Sequence, residues 1–88
     1  MMISILRMPA VVTITGRSRM SIYRAVREGM FTKPVRIGMN AVGWPDYEVA
    51  SWVAARVAGK TSDEVRALVT QLHEKRKTAL DDVGTYCD

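Results

Sequence analysis

Apolar positions change period twice along this chain. Across residues 18–29, Ile22, Ala25 and Val26 recur at helical spacing, while Arg19, Ser21, Arg24, Arg27 and Glu28 fall away from that stripe. Ser18 suits the N-cap after a Gly16-Arg17 turn, and Gly29 suits the residue just past the last turn. Tyr23 lies at the edge of the stripe, and Met30 and Phe31 return to the core. Across residues 33–44 the period falls to two. Val35 and Ile37 alternate with Arg36, and Val42 and Trp44 alternate with Gly43. Gly38-Met39-Asn40 between them tolerate positive φ, which predicts a β-hairpin, and Pro34 fits the start of an edge strand.

Helical spacing then resumes. Pro45-Asp46 opens a segment running to about Ala58, with Val49, Trp52, Val53 and Val57 as its apolar stripe and Gly59 as its stop. Thr61 and Glu64 stand at capping-box spacing before a last helix, lined by Val65, Leu68, Val69, Leu72, Ala79 and Leu80. Residues 81–88 read as a frayed tail. Residues 9–15 are ambiguous. Five consecutive β-branched side chains at 11–15 favour a strand. Pro9 and Gly16 instead suit the two ends of a two-turn helix burying Ala10, Val11 and Ile14.

The order helix or strand, tight turn, basic helix, hairpin, helix, helix is the plan of a winged helix-turn-helix. The expected fold is therefore mainly α with a small β-hairpin. It would comprise a winged helix-turn-helix over residues 1–58, a C-terminal helix over 59–80 and the tail. That last helix packs back on Trp52 and Val57, supplies a homodimer seam or receives a partner protein.

Composition narrows the function classes. Eighty-eight residues make one small domain, cramped for an enzyme with a deep pocket and ample for a binding module. Cys87 is the only cysteine, so neither an internal disulfide nor a thiolate zinc site can form. His73 is the only histidine, and no carboxylate pair, metal cluster or nucleophile–base set is visible. No catalytic activity, metal, cofactor or small-molecule substrate is expected. Arg7 and Pro9 interrupt the apolar start, and no run approaches the ~20 residues of a membrane span, which suggests a cytoplasmic protein.

Charge is unevenly placed. The net charge is +4, yet residues 1–44 hold seven basic side chains against the single acid Glu28, while residues 45–88 hold six against eight. Such segregation points to a polyanionic partner. In a winged helix-turn-helix the second helix enters the major groove and reads bases near its N-terminus, where guanidinium groups can grip guanine or phosphate. A solvated helix face is the competing reading of the same arginines. Tyr23 can serve packing, DNA contact or both.

Several stretches together resemble the AlpA-type regulators, which are related to phage excisionases and to the winged-helix head of the MerR group. They are Ser18-Arg19 with Ile22-Tyr23-Arg24, then Gly29-Met30-Phe31, Lys33-Pro34-Val35-Arg36-Ile37-Gly38, Val42-Gly43-Trp44, and Glu48-Val49 with Trp52. The resemblance spans roughly residues 5–58 and implies a helix at residues 9–15. It also implies sequence-specific binding of double-stranded DNA, in a transcriptional regulator of prophage or mobile-element genes or in an excisionase-type factor that bends DNA. A protein-interaction adaptor with an incidental basic face is the reading from another class. The DNA-binding residues so expected are Arg17, Ser18, Arg19, Ser21, Tyr23, Arg24 and Arg27 around the second helix, with Lys33, Arg36 and Asn40 in the wing. Ser18 also serves as the cap, and Arg27 is placed to meet backbone. Two departures stand out: Met39-Asn40 occupies a wing tip where the family often has a basic residue, and Phe31-Thr32-Lys33-Pro34 replaces the more usual Phe-Pro-x-Pro.

Overall fold

The computed structural model describes residues 3–79. Strand β1 (Ile5–Leu6) leads into α1 (Met8–Thr15), and α2 (Arg19–Arg27) follows after a three-residue turn. Next come β2 (Val35–Arg36), β3 (Val42–Pro45), α3 (Asp46–Val57) and α4 (Ser62–Lys75), the last continued by a 3₁₀ turn at Arg76–Thr78. The chain is a winged helix-turn-helix extended by α4. The expectations for Leu80, the 81–88 tail and Cys87 lie outside the described residues.

Residues 9–15 are helical, with Pro9 in the first turn and Gly16 closing the element at φ 71°. Their buried stripe differs from the expected one. Met8, Val11 and Val12 face the core, whereas Ile14 is 46% exposed. The reason is phase: positions 8, 11, 12 and 15 lie on one side of a helix, and Ile14 falls outside that arc. The N-cap of α2 is Ser18, whose Oγ accepts the Ser21 N–H at 3.2 Å. At the other end Met30 N–H donates to Ala25 O at 2.8 Å and Gly29 N–H to Val26 O at 3.2 Å, a Schellman closure around Gly29.

The expected hairpin is present but forms only part of the sheet. Order β1-β3-β2 makes a three-stranded antiparallel sheet with β3 central, pairing Leu6 with Trp44 and Arg36 with Val42. Two residues carry no period of their own, so β1 is created by its partner strand rather than by local pattern. Gly43 makes that partnership possible. A Cβ there would stand 2.3 Å from Ile5 Cγ2 and 2.9 Å from the Leu6 carbonyl. The hairpin turn also departs from expectation. Positive φ is confined to Gly16, Gly29 and Gly59 among the described residues, so Gly38, Met39 and Asn40 do not use it. A five-residue loop, closed by Ile37 N–H to Ala41 O at 3.0 Å, reverses the chain without a tight primed turn.

The core gathers Val11, Ile22, Ala25, Phe31, Trp44, Val49, Trp52, Val65 and Val69. Phe31 lies between the two indoles, edge-on to Trp52 at 5.2 Å and tilted against Trp44 at 6.0 Å. The stripe on α3 ends earlier than expected, since Val57 is 83% exposed. At about 100° per residue the last-turn position in line with Val49, Trp52 and Val53 is 56, which holds arginine. Helix α4, fixed by the Thr61/Glu64 capping box, brings Val65 and Val69 into this core and buries Leu72.

One polar contact in this packing has no forerunner in the apolar pattern. Glu48, fully buried in the first turn of α3, receives Arg76 Nε at 2.7 Å and Nη2 at 2.6 Å. Arg76 Nη2 also donates to the Lys33 carbonyl, and Lys33 N–H donates to His73 Nε2 at 3.1 Å. The end of α4 therefore holds both sides of the Lys33 residue. Burial, with Arg76 and Lys33 adding like charge, keeps the His73 imidazole below its ordinary value against an opposing pull from Glu48.

Two outcomes follow. Arg76→Met leaves a carboxylate buried without its cation and should destabilise the fold by about 3 kcal/mol. This is the low end of the range for such losses, because the Arg76 side chain is 24% exposed. Adding Glu48→Met should recover most of that loss, read by urea unfolding of the single and double variants. Below an ordinary imidazole pKa of about 6.5 the unfolded chain takes up a proton at His73 that the folded chain resists. Stability is therefore greatest above that pH and falls as the pH drops below it. His73→Gln, whose amide oxygen can accept the same N–H without titrating, should flatten the Tm profile there.

Candidate nucleic-acid interface

Helix α2 presents its charge on one face. Ile22 and Ala25 are buried and Val26 half-buried, which leaves Arg24 and Arg27 exposed on the opposite side, with Arg19 exposed in the first turn. Tyr23 stands at the edge, 44% exposed. Met20 lies in the middle of that outward face, 72% exposed between the arginines. It was absent from the expected set because methionine signals core, and only the helical phase shows that position 20 faces away from Ile22. Its thioether is apolar and polarisable, a side chain able to lie against a thymine methyl.

Ser21 is less free than its neighbours. It is half-buried, and its Oγ accepts Arg17 Nε–H at 2.9 Å. Ser18 is exposed and spends its hydroxyl on the cap. Arg17, half-buried in the turn, lays its guanidinium 5.9 Å from the centre of a Trp52 ring.

The wing residues form a second group. Lys33 and Arg36 are exposed, and Asn40 lies exposed in the loop beside Met39, which is 91% exposed. No hydrogen bond or ion pair among the described residues joins this group to α2. The link is segment 30–33, buried at Phe31 and Thr32. Trp52 Nε1–H donates to Met30 O at 2.8 Å, and Trp44 Nε1–H donates to Thr32 O at 2.8 Å. Trp44 and Trp52 are thus core residues, 0% and 4% exposed, that also hold the connection between helix and wing.

The electrostatic setting is asymmetric. The four ion pairs of the described residues are Lys60–Glu64, Arg66–Asp63, Arg76–Glu48 and Lys77–Glu74, all within residues 48–77. Among the described residues none of Arg17, Arg19, Arg24, Arg27, Lys33 or Arg36 has a carboxylate partner within ion-pair distance. Among the described residues no group of three or more His, Cys, Asp and Glu could hold a metal ion. No helix there is long and apolar enough to cross a membrane.

The sequence pattern of the family described as "Prophage CP4-57 regulatory protein (AlpA)" matches residues 4–57, from before β1 to the end of α3. The chain belongs to the AlpA family. A protein of Enterobacteria phage P4, named "Uncharacterized protein ORF88", is 42% identical over 55 residues, covering 62% of each chain. "DNA-binding transcriptional activator AlpA" of Escherichia coli (strain K12) is 33% identical over 60 residues, covering 61% of this chain and 86% of its own. The chain thus spans less than two thirds of the phage relative. No solved structure matches it. Helix α4 and Arg76 lie beyond the AlpA match, although Glu48, which Arg76 neutralises, lies within it.

Proposed function

We propose that this AlpA-family protein binds double-stranded DNA, with α2 in the major groove and the β2–β3 hairpin as its wing, and regulates transcription of prophage or mobile-element genes. The observation that carries the reading is the unneutralised basic surface. Among the described residues Arg19, Arg24 and Arg27 stand exposed on α2 with no acid paired to them, while the acids of α3 and α4 that form ion pairs are matched to Lys60, Arg66, Arg76 and Lys77. Leaving several guanidinium groups together in water gains nothing for the fold, whereas a phosphate backbone compensates all of them at once. The relative named as a DNA-binding transcriptional activator supports the same assignment.

Roles follow from position. Arg19 and Arg24 are placed for base edges or the phosphates beside them, and Met20 for a thymine methyl. Tyr23 and Arg27 flank that patch and meet sugar and phosphate. Arg17, through its bond to Ser21, approaches the backbone at the start of α2. In the wing, Lys33 and Arg36 supply charge, and Asn40 with Met39 supplies an uncharged tip, so this wing contributes more to positioning than to electrostatic attraction. No dimer seam is needed for this set.

Recovery of bound fragments from genomic DNA, followed by affinity measurements on one recovered site, provides the test. With about five phosphates neutralised, log affinity should fall against log salt with a slope of roughly −4.5. Arg19→Ala and Arg24→Ala should each cost about 1–3 kcal/mol on that site, the range of a guanidinium–base contact. Unchanged affinity in the double variant at fixed salt, with circular dichroism intact, would falsify the DNA reading. Sites overlapping promoters support regulation, and sites confined to a recombination region without promoter effects would replace it with an excision role.

A further inference from the structure

Arg56 belongs to α3 and has no place in a recognition helix or a wing, yet it faces the same ring as Arg17. Its guanidinium lies 5.7 Å from the centre of a Trp52 ring, and that of Arg17 lies 5.9 Å away. These two arginines, with Thr15, Trp52, Val53 and Val57, line an open cleft of about 490 Å³ beside the turn into α2. No carboxylate lies within ion-pair distance of either one among the described residues.

From this we infer that Arg17 and Arg56 form a clamp for one DNA backbone phosphate, built on Trp52 as a platform. The inference rests on the DNA reading above and extends the interface to α3. Two like charges gathered at one ring repel, and the indole quadrupole offsets only part of that repulsion. An anion between them removes the remainder. A cation–π contact of this kind uses no N–H group, so the guanidinium keeps the fork that matches phosphate with two hydrogen bonds. Arg17 is already oriented, since its Nε–H is committed to Ser21 and its terminal nitrogens are left for the ligand. Trp52 is held in turn by its own bond to Met30 O. The site adjoins the N-cap of α2, so a phosphate there borders the groove that α2 enters, and the clamp sets how far the helix inserts without reading any base.

Arg56→Ala and Arg56→Gln, compared with wild type and with Arg19→Ala on one recovered site and on an unrelated duplex, test the clamp. Both Arg56 variants should weaken the two duplexes by the same factor, about tenfold, and make the salt slope shallower by roughly 0.9. Phosphate ethylation should identify one position whose modification blocks wild type and has no further effect on Arg56→Gln. Arg19→Ala should instead narrow the preference for the recovered site over the unrelated duplex. Wild-type affinity and slope in Arg56→Gln, alongside a loss in Arg19→Ala, would overturn the clamp and leave the DNA reading standing. A lowered Tm in the Arg56 variants without a change in slope would also overturn it, reducing Arg56 to a cover for Trp52. No DNA affinity in wild type would remove both.

Discussion

The arrangement depends on four residues that belong to no helix or strand. Segment 30–33 joins α2 to the wing and passes through the interior, with Phe31 and Thr32 almost fully buried. Buried backbone without a ladder must find its hydrogen bonds elsewhere. Here side chains supply them. Trp52 serves Met30 O, Trp44 serves Thr32 O, Arg76 serves Lys33 O and His73 serves Lys33 N–H. Each donor or acceptor comes from a different part of the chain: α3, β3, the final 3₁₀ turn and α4. The relation between α2 and the hairpin is therefore set by the interior, through a connection with no regular geometry of its own.

That dependence changes the standing of α4. The AlpA pattern ends at residue 57, and a helix beyond it could be an independent appendage. Two observations make it part of the head. Glu48 is a fully buried carboxylate inside the family segment, and a charge without water requires a cation and hydrogen bonds. Arg76 provides both from outside that segment. Arg66 on the same helix also reaches the Glu28 carbonyl at 3.4 Å, touching the far end of α2. Helix α4 thus contacts the end of the proposed reading helix and the start of the wing together. A head lacking it would carry an uncompensated carboxylate and two unanchored groups at Lys33.

Much of this fold was legible because local rules and tertiary demands agreed. The Ser18 cap, the Gly29 closure and the Thr61/Glu64 box are contests decided within a few residues, and each appears as read. What could not be read locally was decided by distant partners. Strand β1 exists because β3 offers it an edge and Gly43 leaves it room. Ile14 and Val57 look like core by composition, but helical phase and the end of the packed surface leave them in water. The site shows the same division. Arginine type and spacing marked α2, yet nothing in the sequence brings Arg56 to Arg17, since their meeting depends on where α3 places Trp52. Met20 was hidden by its chemistry, and Arg76 by lying outside the resembling segment.

The acidic half of the chain completes the electrostatic picture. Among the described residues, four of its carboxylates are paired within that same half. Glu64, Asp63 and Glu74 pair with Lys60, Arg66 and Lys77 on or just beside α4, and Glu48 is consumed inside. Exposed pairs of this kind add little stability, typically under about 1 kcal/mol each. Their effect on orientation is larger. A face whose charges cancel locally offers little to a polyanion at distances beyond a Debye length, about 8 Å at physiological salt, while the uncancelled α2 face still attracts. With α2 as the proposed reading helix, encounters with DNA would be biased before any contact forms, with α2 forward. For the proposed DNA complex, the pairs on α4 would contribute to recognition by keeping that helix electrostatically quiet, a role that a survey of contacts to DNA would not reveal.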